Sequence, residues 1–122
     1  MTFRETLAKH LQAIQERNLE ALAATVAPER VVLIMADGKL VRSTAAFLEA
    51  HRGWFAMPNW TLFTEEVELF EGPDLAVAVL RLNYREPPDV RSESYLTLVF
   101  QRHDGKWLMV QDQNTPIKAA AQ

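Results

Sequence analysis

A chain of 122 residues, with 13 Lys and Arg against 16 Asp and Glu and a formal charge of −3, fits one domain spanning 1–122, burying roughly two thirds of its unfolded surface around a single core. The charges form no block, so a nucleic-acid or anionic-membrane surface has no electrostatic footprint. The absence of cysteine excludes disulfides, thiolate catalysis and thiolate metal sites, and no apolar run reaches signal-peptide or bilayer length; the chain reads as soluble and cytoplasmic.

Thr2 followed by Glu5 is a capping-box pattern, and Phe3, Leu7, Leu11 and Ile14 recur at helical spacing, which predicts a first helix to about Arg17. Asn18 caps a second, shorter helix through Leu19, Leu22, Ala23 and Val26, stopped by Pro28. Val31 to Met35, the turn residues Ala36-Asp37-Gly38 and Lys39 to Arg42 read as a hairpin. Ser43 or Thr44 then caps a third helix to Phe55, with Phe47, His51 and Trp54 on one face and Pro58 closing the helical region.

From Asn59 the pattern changes to period two. Strands are expected near Thr61 to Phe70, Leu75 to Arg85, Arg91 to His103 and Lys106 to Asn114, separated by Gly, Pro and Asp turns. Such short connections favour an antiparallel meander, and the tail at 117–122 is expected to fray. Three N-terminal helices before a meander imply an α+β domain in which the helices cover one face of a curved antiparallel sheet, with a small-molecule pocket between the layers.

Five residues stand out as pocket candidates. His51 lies among apolar neighbours, where an imidazole serves proton transfer, anion binding or simply a hydrogen-bonded core. Arg81 ends the run Leu75 to Leu80; a guanidinium there either clamps a ligand carboxylate or pairs with an internal acid, Asp112 being the obvious one. Asp112 acts as a base only if burial raises its pKa, and an Arg81 partner would lower it. His10 interrupts the first helix's apolar stripe between Leu7 and Ile14 and reads from its spacing as a histidine at the stripe's edge. Trp54, with the other large aromatics, reads as core, interface or pocket wall. His10, His51 and His103 show no ligand spacing, so no metal site is expected, and no nucleotide or nucleophile motif calls for a cofactor.

The segment Phe100-Gln101-Arg102-His103-Asp104-Gly105-Lys106-Trp107-Leu108-Met109-Val110, together with Phe47 to Arg52 and Val77 to Arg81 in chain order, resembles the nuclear transport factor 2-like superfamily. The resemblance covers nearly the whole chain and is to its SnoaL-like and calcium/calmodulin-dependent kinase II association-domain branches. It implies a cone-shaped roll (the nuclear transport factor 2-like or cystatin-like fold), dimeric through the outer face of the sheet, with His51 and Arg81 lining a pocket that in the association domain accepts small carboxylates. Here Gln111 to Thr115 replaces that domain's histidine-rich ending. Asp112 falls where SnoaL-like cyclases carry an acid-base carboxylate, and His10 where the similar ketosteroid isomerases carry a tyrosine. The resemblance does not fix activity, since one fold hosts binding modules, enzymes and assembly domains. The leading expectation is a homodimeric binding module for a small organic, anionic ligand, without nucleic-acid or membrane partners. The alternatives are a cofactor-independent isomerase, polyketide cyclase or dehydratase with Asp112 or His51 as proton carrier, and an assembly module.

Overall fold

The computed structural model describes residues 1–118. The helical start follows the capping chemistry. Helix α1 (Phe3–Gln15) opens with a reciprocal box, Glu5 N donating to Thr2 Oγ1 at 3.1 Å and Thr2 N to Glu5 Oε1 at 2.8 Å. It ends two residues before the expected Arg17, which takes a left-handed φ of 54°. Helix α2 (Leu19–Ala23) is capped by Asn18, and α3 (Thr44–Phe55) by Ser43, each side-chain oxygen accepting from the backbone N–H three residues on.

Between α2 and α3 runs the hairpin of β1 (Val32–Ile34) and β2 (Leu40–Val41), turned at Gly38 with φ 90°. The meander follows as β3 (Thr61–Glu71), β4 (Leu75–Glu86), β5 (Val90–His103) and β6 (Lys106–Pro116). All form one sheet in the order β2-β1-β6-β5-β4-β3. It is mixed rather than wholly antiparallel, because β1 runs parallel to β6, with Leu33 beside Asp112. Short-range turn signals carry no information about a pair so far apart in sequence. Of the tail expected to fray, Ile117 N donates to Glu93 O at 2.9 Å, and 119–122 lie outside the described residues.

Helices pack on the inner sheet face. Phe3, Leu7 and Ile14 of α1 and Phe47 of α3 meet Ala78 and Leu80 of β4, Leu98 and Phe100 of β5, and Trp107 and Met109 of β6, all buried in one cluster. Each such side chain contributes about 1.5–3 kcal/mol on leaving water. Period two governs which residues reach it, with one interruption that matters. Phe100 pairs with Met109, but Val99 pairs with Gln111, so β6 carries an extra residue. The inward set changes there from Trp107 and Met109 to Asp112 and Asn114. Without that bulge Asp112 would fall on the outer face, since a one-residue shift reverses every side chain beyond it.

Candidate functional site

Where α3 crosses the far end of the sheet, the interior is not filled. A cavity of about 200 Å³ is lined by Ile14, Leu33, Met35, His51, Trp54, Leu62, Leu82, Leu96, Asp112 and Asn114, among others. A second chamber, about 280 Å³, shares Trp54, Leu62, Leu82 and Asn114 with the first and adds Tyr84, Ser94 and Glu93. The walls of the inner chamber are aliphatic and aromatic, its polar groups are few, and none of its lining residues is Lys or Arg. This is the usual make-up of a small-molecule site.

Asp112 is 5% exposed, and its hydrogen-bond partner among the described residues is Asn114, whose Nδ2 donates to Oδ1 at 3.2 Å. Burial disfavours the carboxylate and pushes its pKa up to about 7, with the Asn114 bond pulling weakly the other way. At neutral pH the group is therefore divided between an acid that donates and a carboxylate that accepts. His51, also buried, donates from Nδ1 to Phe47 O at 2.8 Å, one turn back in α3. Desolvation holds its pKa below the usual imidazole value against that bond, so the ring is neutral with its Nε2 lone pair unspent. Trp54 supplies a rigid wall, stacked on Trp60 at 4.3 Å between centroids with 17° between the planes. Trp60 in turn carries the Arg17 guanidinium 3.8 Å from its centroid and donates from Nε1 to Trp54 O.

Of the expected pocket residues, His51, Trp54 and Asp112 meet at this cavity, and two do not. Arg81 points away: it shares the outer parity of β4 with Val77 and Val79, and its side chain, 40% exposed, meets Glu93 at 3.0 Å. The apolar run before it, which suggested an internal arginine, is a strand with one face buried, through Ala76, Ala78 and Leu80, and the other half-covered, through Val77 and Val79. The expected Arg81–Asp112 pair is thus absent, and with it the cation that would have kept Asp112 ionised. His10 does not border the cavity either. It is fully buried in the middle of its helical stripe, not at its edge, against the Phe100 ring at 5.9 Å. Thr25 Oγ1 donates its proton to Leu22 O and so accepts from His10 Nδ1, 2.8 Å away. Burial lowers the His10 pKa to about 3, with His51 adding to the effect.

Asn114 and the outer chamber were not anticipated. Counting Asn114 two residues beyond Asp112 on the same strand face would have found it. A larger hollow, about 810 Å³, lies against the outer side of β6 and is lined by Pro28, Arg30, His103, Lys106 and Leu108, among others. Its charged residues are exposed, so it lacks the buried titratable groups of the smaller cavity. No cluster of three or more His, Asp or Glu suited to a metal occurs among the described residues, and no described helix is long and apolar enough to cross a membrane.

A family model described as a SnoaL-like domain matches residues 4–116. Among solved structures, the chain is similar to a protein from Thiobacillus denitrificans provisionally assigned as a calcium/calmodulin-dependent protein kinase type II association domain. The TM-score is 0.85 at 20% identity, covering 96% of each chain. It is also similar to a provisionally assigned dehydratase of the NTF2-like family from Streptomyces avermitilis, with TM-score 0.81, 16% identity and coverage of 95% of this chain and 94% of that one. A provisionally assigned ketosteroid isomerase from Shewanella frigidimarina follows at 0.78 and 19%, covering 91% and 92%. No curated protein matches in sequence. At these identities the structural likenesses establish the fold.

Proposed function

The chain belongs to the SnoaL-like domain family, and from that premise we propose that it binds a small, neutral, largely apolar molecule bearing one carbonyl or hydroxyl group. The observation that carries this is Asp112, a buried carboxyl with a pKa near 7, opening with His51 onto an apolar cavity free of Lys and Arg. The protonated carboxyl donates to a carbonyl, the His51 Nε2 lone pair accepts from a hydroxyl, and Trp54 covers the apolar body. A carboxylate ligand would meet Asp112 with no cation to offset it, so the anionic ligand expected from the sequence gives way to a neutral one in this chamber.

The test is a thermal-shift series on matched ketones, alcohols and carboxylic acids. Binding to the native state raises its melting temperature by mass action. Ketones and alcohols are expected to raise it, and carboxylates to do so only below about pH 4, where they too are neutral. Carboxylates that stabilise best at neutral pH would refute the reading.

A second reading is favoured by one observation, the poised ionisation of Asp112. A carboxyl titrating near neutrality beside a bound carbonyl can take a proton from the adjacent carbon and return it, the step shared by isomerases and dehydratases. Relatives of this fold include proteins provisionally assigned to both classes. Asp112→Asn then retains ligand affinity and loses turnover. The pairing of copies is also part of the proposal: Val77, Val79, Val99 and Leu108 form a half-covered apolar outer sheet face, with Leu75 and Tyr95 more exposed. Light scattering is expected to give the mass of two chains.

A further inference from the structure

The inner chamber is small for a ligand site. Its volume of about 200 Å³ falls short of the roughly 300–1,000 Å³ usual for one, and its space continues past Trp54, Leu62, Leu82 and Asn114 into the second chamber of about 280 Å³. Across that boundary the sheet-side lining changes from Leu82 and Leu96 to Tyr84, Ser92 and Ser94. Ser94 is the direct cross-strand partner of Leu82, and Ser92 of Tyr84. Directly opposed residues share a sheet face, so both serines stand on the face that carries Leu82 and Tyr84 to the cavity. Ser94 is only 8% exposed. Glu93 is the one charged residue in this lining; its neighbours' parity turns its side chain to the other face, where Oε1 meets Arg81 at 3.0 Å. The outer chamber therefore offers hydroxyl groups and no inward charge.

We propose that the ligand is elongated and that its far end carries a second, uncharged hydroxyl group, received in the outer chamber by Ser94 and Tyr84. Leu98 lies opposite Asp112, and Ser94 is four residues along β5 from it, which sets the two polar ends roughly 10–13 Å apart along the curved strands. A purely apolar far end would displace water from the buried Ser94 hydroxyl and return no hydrogen bond. A carboxylate there would find no cation in the lining. A hydroxyl both donates and accepts, as the serine and tyrosine hydroxyls do, and satisfies either arrangement of their protons. The inference rests on the proposed pocket reading for the ligand's inner end alone.

The test uses methyl octyl ketone and its analogue with a hydroxyl in place of the terminal methyl, titrated by calorimetry into the parent protein, Ser94→Ala/Tyr84→Phe and Asp112→Leu. The hydroxy ketone is expected to bind the parent more tightly than the plain ketone. In Ser94→Ala/Tyr84→Phe the ratio of the two Kd values shifts by about tenfold in favour of the plain ketone. Asp112→Leu weakens both probes alike, and on the parent both affinities fall together as pH rises through about 7, a readout that needs no variant. A ratio unmoved by Ser94→Ala/Tyr84→Phe would overturn the outer subsite. So would tighter binding of an analogue ending in a carboxylate, or in a trimethylammonium group drawn to the faces of Trp54 and Tyr84. If the ratio responds to Ser94 and Tyr84 but neither Asp112→Leu nor pH changes either affinity, the subsite stands and the pocket reading fails; if neither ketone binds, both fail.

Discussion

Each end of the interior buries a histidine, but only one has open space beside it. At the closed end His10 lies against Phe100, its Nδ1 committed to Thr25 and its Nε2 left without a partner. At the open end His51 is held by Phe47 O and borders a cavity together with Asp112. Both rings have lowered pKa values for the same reason, desolvation. Burial and a perturbed pKa therefore do not by themselves distinguish a site from a core. What separates the two is unfilled volume, and what creates it on the sheet side is the polar pair Asp112 and Asn114 standing where β6 elsewhere supplies Trp107 and Met109.

The sharpest way to break this comparison is to empty the closed end. Phe100→Ala removes a fully buried ring in edge contact with Phe3 at 5.4 Å and is expected to cost about 3–5 kcal/mol in denaturant melts. Trp54→Ala, beside existing free volume, should cost less stability and show itself in ligand affinity. If both variants lose equal stability, the open end is as tightly packed as the closed one and the distinction fails.

Asp112→Asn sharpens the comparison through its pH dependence. Because the folded pKa is raised from 3.8 to about 7, native Asp112 holds its proton where the unfolded chain has released it. Its stabilising contribution is complete below about pH 4 and is lost as pH rises towards 7. The variant should exceed the parent by as much as about 4 kcal/mol near pH 8, and the gap should close towards pH 4. The histidines have the opposite sign: with folded values below 6.5, they weaken the fold as pH falls from 6.5, for His10 down to about 3. His10→Gln should flatten that acid limb and leave ligand binding intact, whereas His51→Gln should weaken binding, both read from melts with and without ligand. The smallest effect is expected from Arg81→Gln, which loses an exposed pair with Glu93 and should leave melting and ligand affinity unchanged.

The elements were largely legible because their signals are local. Thr2 with Glu5, Asn18, Ser43 and the Gly38 turn each fix a boundary by the hydrogen bonds or φ angles they permit. The site was legible in part. His51 and Trp54 follow from helical spacing within α3, where rise and rotation are regular. Arg81 failed because an unbroken apolar run does not reveal strand parity, and Ala76, Ala78 and Leu80 turn in while Val77, Val79 and Arg81 turn out. Asp112 was singled out for its amide neighbours and its resemblance, yet its inward direction depends on the extra residue near Val110, which no local pattern marks. The β1–β6 pairing was hidden for a related reason: two strands separated in sequence by α3 and three strands of the meander meet only through tertiary packing.

The account's central claim is that Asp112 stands in an apolar cavity with no cation beside it. Carbon-detected nuclear magnetic resonance of the aspartate carboxyls, followed through a pH titration of the folded protein, tests that claim most directly. The account predicts one aspartate titrating near pH 7, absent from the Asp112→Asn spectrum. An Asp112 carboxyl that titrates near its ordinary value of 3.8 would contradict it, since such a group is solvated or paired and the cavity is not the site described.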